Sequence, residues 1–169
     1  MTGKEKIPVT PAVRMLREHG VAFTPHFYRY SEKVRGAEAA GLLGIPPHAM
    51  VKTIVLEDDQ HRPLIVLQHI DREISTRELA RMLGVRSAQP CDPERVTRLT
   101  GYQVGGCSPF GTRQALPVYA EATVMELPEM YINGGKRGFL VRIRPADLER
   151  VLHPERVSVA IGHRAPGGA

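Results

Sequence analysis

The 169-residue chain is 42% hydrophobic and 24% charged, enough apolar material for one compact domain with a continuous core. No stretch approaches the roughly 18 consecutive apolar residues of a membrane span, and the N-terminal MTGKEKIPVT has no apolar signal-peptide core, so a cytoplasmic protein without a membrane partner is expected. Lys plus Arg exceed Asp plus Glu by 23 to 18, a net charge of +5 that favours polyanionic partners. Aromatic residues make up only 5% with no Trp, which argues against a broad base-stacking platform.

In chain order, the first predicted element is a helix from Pro11 to His19. Thr10 is its cap, Gly20 its left-handed exit, and Val13 and Leu16 its core-facing positions. Phe23 to Tyr30 alternates as a strand, and Gly36 to Leu43 reads as a short helix ended by Gly44 and the Pro46-Pro47 pair. Val51 to Leu56 and Leu64 to His69 form a hairpin around a polar turn, the expected centre of the sheet. The best-specified helix is Thr76 to Leu83, with a Ser75/Glu78 capping box, an Ile74/Leu79 staple and Gly84 as terminator. Asp92 and Pro93 open another helix closed by Gly101. Leu116 to Ala120, Met130 to Asn133 and Phe139 to Ile143 read as strands, Pro145 to Leu152 as a helix, and Arg156 to Ile161 as a final strand.

Helices and strands are interspersed without a βαβ rhythm, so the fold class is mixed α/β: a single compact domain with a largely antiparallel mixed sheet surrounded by helices. The expected division is an N-terminal extension over 1–9, the domain over 10–161, and a disordered Gly-rich tail over 162–169.

There is no GxSxG elbow, HExxH, phosphate loop or GxGxxG turn. Cys91 and Cys107 lack metal-ligand or CxxC spacing, so neither a metal, a cofactor nor a disulfide framework is expected. Three features remain. Lys52 lies within VKTIVL, a segment apolar on both faces; either its ammonium snorkels to water, or it points into a cleft toward an anionic or carbonyl ligand. The loop Gly105 to Gly111, GGCSPFG, is either a tight turn or a set of backbone amides able to act as an oxyanion hole. In GGKRG, Gly134 to Gly138, the adjacent cations Lys136 and Arg137 belong either to a solvated hairpin or to a phosphate-contacting one. Cys107, inside the glycine-rich loop, has no histidine near it in sequence and is not expected to be a nucleophile.

These segments carry a resemblance. TPAVRML from Thr10, HFY at His26 to Tyr28, VKTIV at Val51 to Val55, TGYQVGGCSPFG at Thr100 to Gly111 and YINGGKRGFLVRI at Tyr131 to Ile143, followed by the helix around Asp147 and Leu148, resemble the YbaK/EbsC family. That family is related to the editing domain inserted in bacterial prolyl-tRNA synthetases. The resemblance implies a mixed α/β fold on a curved sheet and deacylation of mischarged aminoacyl-tRNA, most often cysteinyl-tRNA(Pro). The implied partners are aminoacyl-tRNA and prolyl-tRNA synthetase. By position it implies catalytic roles for Lys52, Tyr28 and Gly105. Beside them, the candidate substrate contacts are the Gly106 amide, Ser108, whose hydroxyl either orients the substrate or bonds within its own turn, Asn133, Gly134, Arg35 and Leu140, and the candidate tRNA contacts are Lys136 and Arg137. The resemblance further implies a substrate-assisted reaction in which the thiol of the bound cysteine attacks its own ester.

Three positions depart from the family pattern: Arg35 stands where an aromatic is expected, Leu140 where an acidic residue is expected, and Asn133 in place of a serine. They bear on which amino acid is removed, alanine being the alternative. A non-catalytic module that binds tRNA or a synthetase, and a hydrolase of small amino-acid esters, are the competing readings.

Overall fold

The computed structural model describes residues 6–34 and 36–162. The expected position of Arg35 and the tail beyond Gly162 lie outside them. Among the described residues there are five α-helices: α1 (Pro11–Glu18), α2 (Ala37–Leu43), α3 (Thr76–Leu83), α4 (Pro93–Thr100) and α5 (Pro145–Leu152). The strands are β1 (Thr24–Phe27), β2 (Met50–Asp58), β3 (Pro63–His69), β4 (Arg72–Ile74), β5 (Ala88–Pro90), β6 (Val118–Glu121), β7 (Met130–Lys136), β8 (Phe139–Ile143), β9 (Glu155–Val157) and β10 (Ala160–Gly162).

Helix boundaries follow the local chemistry. Thr10 Oγ1 accepts the Val13 N–H at 3.0 Å, and Asp92 Oδ1 accepts that of Arg95 at 2.8 Å, each satisfying a donor with no partner inside its helix. Gly44, Gly84 and Gly101 exit their helices in the left-handed region. The capping box expected at Ser75 is half formed. Ser75 Oγ accepts from Glu78 N, but the Ser75 N–H donates to the Val159 carbonyl, leaving the Glu78 side chain to pair with Arg81.

The main sheet runs β1-β8-β7-β2-β3-β6-β9, with β5 also paired to β2, and β10 pairs β4 in a separate two-stranded sheet. The β1/β8, β8/β7, β2/β3 and β2/β5 pairs are antiparallel; β2/β7, β3/β6 and β6/β9 are parallel. Alternation sorts the central strands onto two covered faces. Val51, Val55, Ile65, Leu67, Ile132 and Val141 join Leu16 of α1, Val96 of α4 and Leu148 of α5 in the principal core. On the opposite face there are two smaller clusters, one of Met50 and Leu140 under α2, the other of Leu56, Val66 and Leu79 at α3, with Ile54 packed against it. The chain is therefore a three-layered mixed α/β domain.

Three sequence expectations change. Phe23 to Tyr30 contracts to the four residues of β1. The single strand expected at Arg156 to Ile161 is split, because Val159 N and Ala160 N both donate to the buried carboxylate of Glu121, at 2.9 and 3.3 Å, and turn the chain between β9 and β10. Gly162, assigned to the tail, pairs with Arg72 in β10, and Ile7 of the expected extension packs against the principal core.

Candidate functional site

The site originates in a fork in the sheet. Along one edge of β2, β7 pairs only with Met50 and Val51, and β5 only with Leu56 to Asp58. Strand β7 breaks its register with β8 between Asn133 and Lys136. A cavity of about 280 Å³ occupies the opening, lined by Lys52, Thr53 and Ile54 from β2, the loop at Val104 and Gly105, and Tyr28 and Tyr30 beyond β1. On its own face Lys52 falls between Met50 of one small cluster and Ile54 beside the other, which is how a cation occurs within an otherwise apolar strand. Its side chain is 18% exposed, and Nζ lies 3.6 Å from Glu73 Oε2 on β4, itself 50% exposed.

Two glycine-rich segments close the cavity, and Asn133 joins them. Its Nδ2 donates to the Gly105 carbonyl at 3.2 Å, and its Oδ1 accepts the N–H groups of Gly135 at 2.7 Å and Lys136 at 3.2 Å. Gly105 adopts φ +91°, and a Cβ there would sit 2.8 Å from Tyr30 Oη, so both its conformation and the tyrosine exclude a side chain. Arg137 adds a second tie: its Nε donates to Val104 O at 2.9 Å, and its guanidinium stands 4.9 Å above the Tyr30 ring.

The cavity thus brings together Tyr28, Lys52, Gly105, Asn133, Arg137 and Leu140 of the residues singled out from sequence. Others are placed elsewhere. The Gly106 N–H donates to the Gln103 carbonyl within its turn, and that residue faces a separate cavity. Ser108 is fully buried and its Oγ accepts from Phe110 N, the local turn bond. Gly134 is held by Thr10 Oγ1, which donates to its carbonyl at 2.6 Å, while Phe139 fills the space a Cβ would need. Lys136 does not line this cavity; it borders a neighbouring one that shares Tyr28 and Arg137 with it, and the one behind Gly106.

Tyr30, Thr53 and Glu73 are site residues that sequence reasoning passed over. Tyr30 follows Tyr28 at strand spacing, a signal that was available. Glu73 reaches Lys52 only through the fold. Thr53 Oγ1 is buried at the cavity and has no hydrogen-bond partner among the described residues.

Burial raises the Tyr28 phenol, partly offset by a backbone hydrogen bond with Gly138, so it is a neutral hydroxyl at physiological pH. Cys107 also borders the cavity, but burial pushes its thiol up to about 11, against a smaller lowering by a Thr100 hydrogen bond. A thiol in that state is not a nucleophile at neutral pH.

One cluster has metal-ligand composition, His48, His69 and Asp71. Its geometry opposes metal binding. His69 Nδ1 lies 2.6 Å from the His48 carbonyl, which only accepts, so Nδ1 carries the proton; Nε2 is then the acceptor for the Thr123 hydroxyl at 2.7 Å. Both ring nitrogens are engaged, and the His48 ring stacks on His69 with centroids 3.7 Å apart.

Among known proteins, the sequence profile of the aminoacyl-tRNA editing domain matches residues 32–151. A protein of Enterococcus faecalis, named as a candidate Cys-tRNA(Pro)/Cys-tRNA(Cys) deacylase, EbsC, is 27% identical over 146 residues, covering 86% of this chain and 89% of its own. A proline–tRNA ligase of Moorella thermoacetica is 33% identical over 110 residues, 64% of this chain but only 19% of the ligase. The solved structure of a candidate trans-editing enzyme for prolyl-tRNA synthetase superposes with a TM-score of 0.77 at 22% identity, over 92% of this chain and 100% of that one, a likeness of fold. No described helix is long and apolar enough to cross a membrane. With more than half its length matched, and the strand lysine and both glycine-rich segments inside the match, the chain belongs to the aminoacyl-tRNA editing domain family.

Proposed function

We propose that this chain is a trans-acting editing deacylase that hydrolyses cysteinyl-tRNA, with tRNA(Pro) as the mischarged body, in the cytoplasm beside prolyl-tRNA synthetase. The observation that carries the reading is the forked-sheet cavity itself. It offers an ammonium at Lys52 and the Gly105 loop, while the cysteine beside them is held as a thiol.

With no activated nucleophile among the described residues of the cavity, the attacking group comes from the substrate. The cysteinyl thiolate adds to its own ester carbonyl; a C–S bond forms and the C–O bond to the tRNA ribose breaks. The ribose oxygen takes up a proton, and water opens the resulting four-membered thiolactone to free cysteine. Holding thiolate and carbonyl together supplies an effective molarity on the order of 10⁵ M or more. Lys52 lowers the substrate thiol's pKa and, with the Gly105 N–H, stabilises the oxyanion. Gly106 takes no part, since its N–H is committed to Gln103. Tyr28 bounds the pocket as a neutral hydroxyl.

A second reading, removal of alanine by a water-based route, is favoured by one observation: Leu140, buried at the cavity, makes its wall apolar where the family pattern has an acid. One tRNA(Pro) body charged in turn with cysteine, serine and alanine decides between them. Cysteine should be released at least a hundred-fold faster than the other two; equal rates for cysteine and alanine would overturn the substrate-thiol mechanism.

A further inference from the structure

We infer that Glu32 receives the α-ammonium of the substrate, so that the chain cleaves esters of free amino acids and spares N-acylated ones such as peptidyl-tRNA. The inference rests on the proposed deacylase reading and adds the group that decides which way round the acyl part lies.

Three charged residues line the forked-sheet cavity: the cations Lys52 and Arg137, and Glu32. Glu32 is the one carboxylate among the described lining residues, since Glu73, 3.6 Å from Lys52 Nζ, is not part of the lining. An aminoacyl ester carries its α-ammonium on the carbon next to its carbonyl. With that carbonyl at Lys52 and the Gly105 N–H, an ammonium turned toward either cation is repelled. Turned toward Glu32 it gains a charge-assisted hydrogen bond to a carboxylate. The polarity of the lining thus selects one orientation of the acyl group.

The fold holds Glu32 at the rim from both sides. Before it, Tyr30 packs so closely on Gly105 that a Cβ there would meet its hydroxyl, and its ring lies 4.9 Å from the Arg137 guanidinium. After it, Gly36 takes φ +51° and approaches Ile70 so closely that a Cβ would sit 3.0 Å from Ile70 Cγ1. Between these anchors Ser31 and Val34 form a β-bridge, and Val34 N donates to the Ser31 carbonyl at 3.0 Å and to its Oγ at 3.2 Å. Glu32 and Lys33 occupy the exposed corner of that turn, and of the two only Glu32 lines the cavity. A carboxylate at an exposed corner costs the free chain little desolvation. Leu140 bears on the same point: it is buried opposite Asn133 in the sheet, where the family resemblance predicts an acid. A carboxylate is still supplied to this cavity, from the turn at its rim instead of from the sheet.

The test compares the free and N-acetylated forms of two probes. One is cysteinyl-tRNA(Pro), read by deacylation. The other is 3′-deoxy-3′-(cysteinylamino)adenosine, whose amide stands in for the ester and resists hydrolysis, read by direct titration of the full chain. In the unaltered chain, N-acetylation should lower kcat/KM and weaken binding by roughly ten-fold or more. Glu32→Gln should abolish most of that preference, weakening the free-amine forms roughly ten-fold and leaving the acetylated forms within two-fold. Lys33→Gln, beside it on the turn, should keep the full preference.

Equal losses for free and acetylated probes in Glu32→Gln would assign the residue to the structure of its turn and overturn the inference. So would a preference that survives in Glu32→Gln, or an unaltered chain indifferent to N-acetylation. A chain that selects the free-amine amide through Glu32 yet releases no amino acid from tRNA keeps the inference and loses the deacylase reading. Deacylation that is unchanged in Glu32→Gln does the reverse, so the two failures are distinguishable.

Discussion

Asn133 donates from Nδ2 to the Gly105 carbonyl while its Oδ1 receives two N–H groups from the Gly135–Lys136 turn, so one side chain sets the spacing between the two glycine-rich segments. A serine hydroxyl is too short to serve both segments at once. Asn133→Ala should therefore lower kcat ten-fold or more and cost about 1–3 kcal/mol of stability, given ~1 kcal/mol per hydrogen bond and partial exposure. Asn133→Ser should recover part of the stability and less of the rate. Deacylation kinetics beside thermal unfolding check this; unchanged kcat in Asn133→Ala would mean that the loop holds its place without the amide.

Lys52→Ala should reduce deacylation by roughly 10²–10³-fold, the scale of losing one preorganised charge at a developing oxyanion. Far-UV circular dichroism should stay the same, because the stem borders a cavity and not the close-packed core. Lys52→Arg should recover little, since its planar fork cannot reproduce a compact ammonium. Glu73→Gln tests the ion pair separately. With Glu73 half exposed, stability should change by less than about 1 kcal/mol. Deacylation kcat should fall several-fold, because the carboxylate no longer holds the Lys52 ammonium in place. An unchanged kcat would show that Glu73 merely neighbours the lysine.

Cys107 should behave as a buried thiol. Its pKa of about 11, against an ordinary 9.0, means that unfolding releases a proton once pH exceeds about 9, so its contribution to stability is complete below 9 and lost between 9 and 11. Iodoacetamide should label it far more slowly than free cysteine at pH 8. Cys107→Ala should retain most deacylase activity, and intact-mass measurement during turnover should reveal no acyl-enzyme. Rapid labelling together with loss of activity would reinstate it as a nucleophile.

Acid should destabilise the fold early. Burial lowers the pKa of both His26 and His69 below 6.5, so each is neutral in the folded chain and protonates more readily when unfolded. The stability they confer is present above about 6.5 and lost as pH falls from there toward the depressed folded values. Thermal unfolding between pH 7.5 and 5.5 should show a falling Tm, and His69→Gln should flatten the slope at a lower overall Tm. Zinc should not raise Tm, because both nitrogens of His69 are occupied.

Much of the local structure was legible because its causes are local. Thr10, Asp92, Gly44, Gly84 and Gly101 mark helix ends through their own side chains or backbone, and the structure keeps each of them. Strands β4 and β5, at three residues each, have no period long enough to read. The fork in β2 was not legible, because it depends on where β7 and β5 stop pairing, a fact of register between segments tens of residues apart. For the same reason the loop GGCSPFG gave no sign that Gly105 faces the cavity while Gly106 faces a separate one. Nothing in the loop announces that the Gly106 amide is used by Gln103, whereas the bond that Ser108 makes within its own turn is an ordinary use of a loop serine and was open to sequence reading.

Glu121 ties the last strands to the site from a distance. Its buried carboxylate receives Gln68 Nε2, Val159 N and Ala160 N, which seats β10 against β4, the strand that carries Glu73 to Lys52. A fragment trimmed to residues 32–151 would keep every residue of the editing-domain match yet strip that carboxylate of two of its three donors and leave β4 without its partner strand. A buried carboxylate left with one of its three donors is a costly defect in a core. The smallest unit able to present a well-placed lysine is therefore larger than the segment by which the domain is recognised. Grafting experiments that test the proposed deacylation in another protein will need the C-terminal strand as well as the glycine-rich loops.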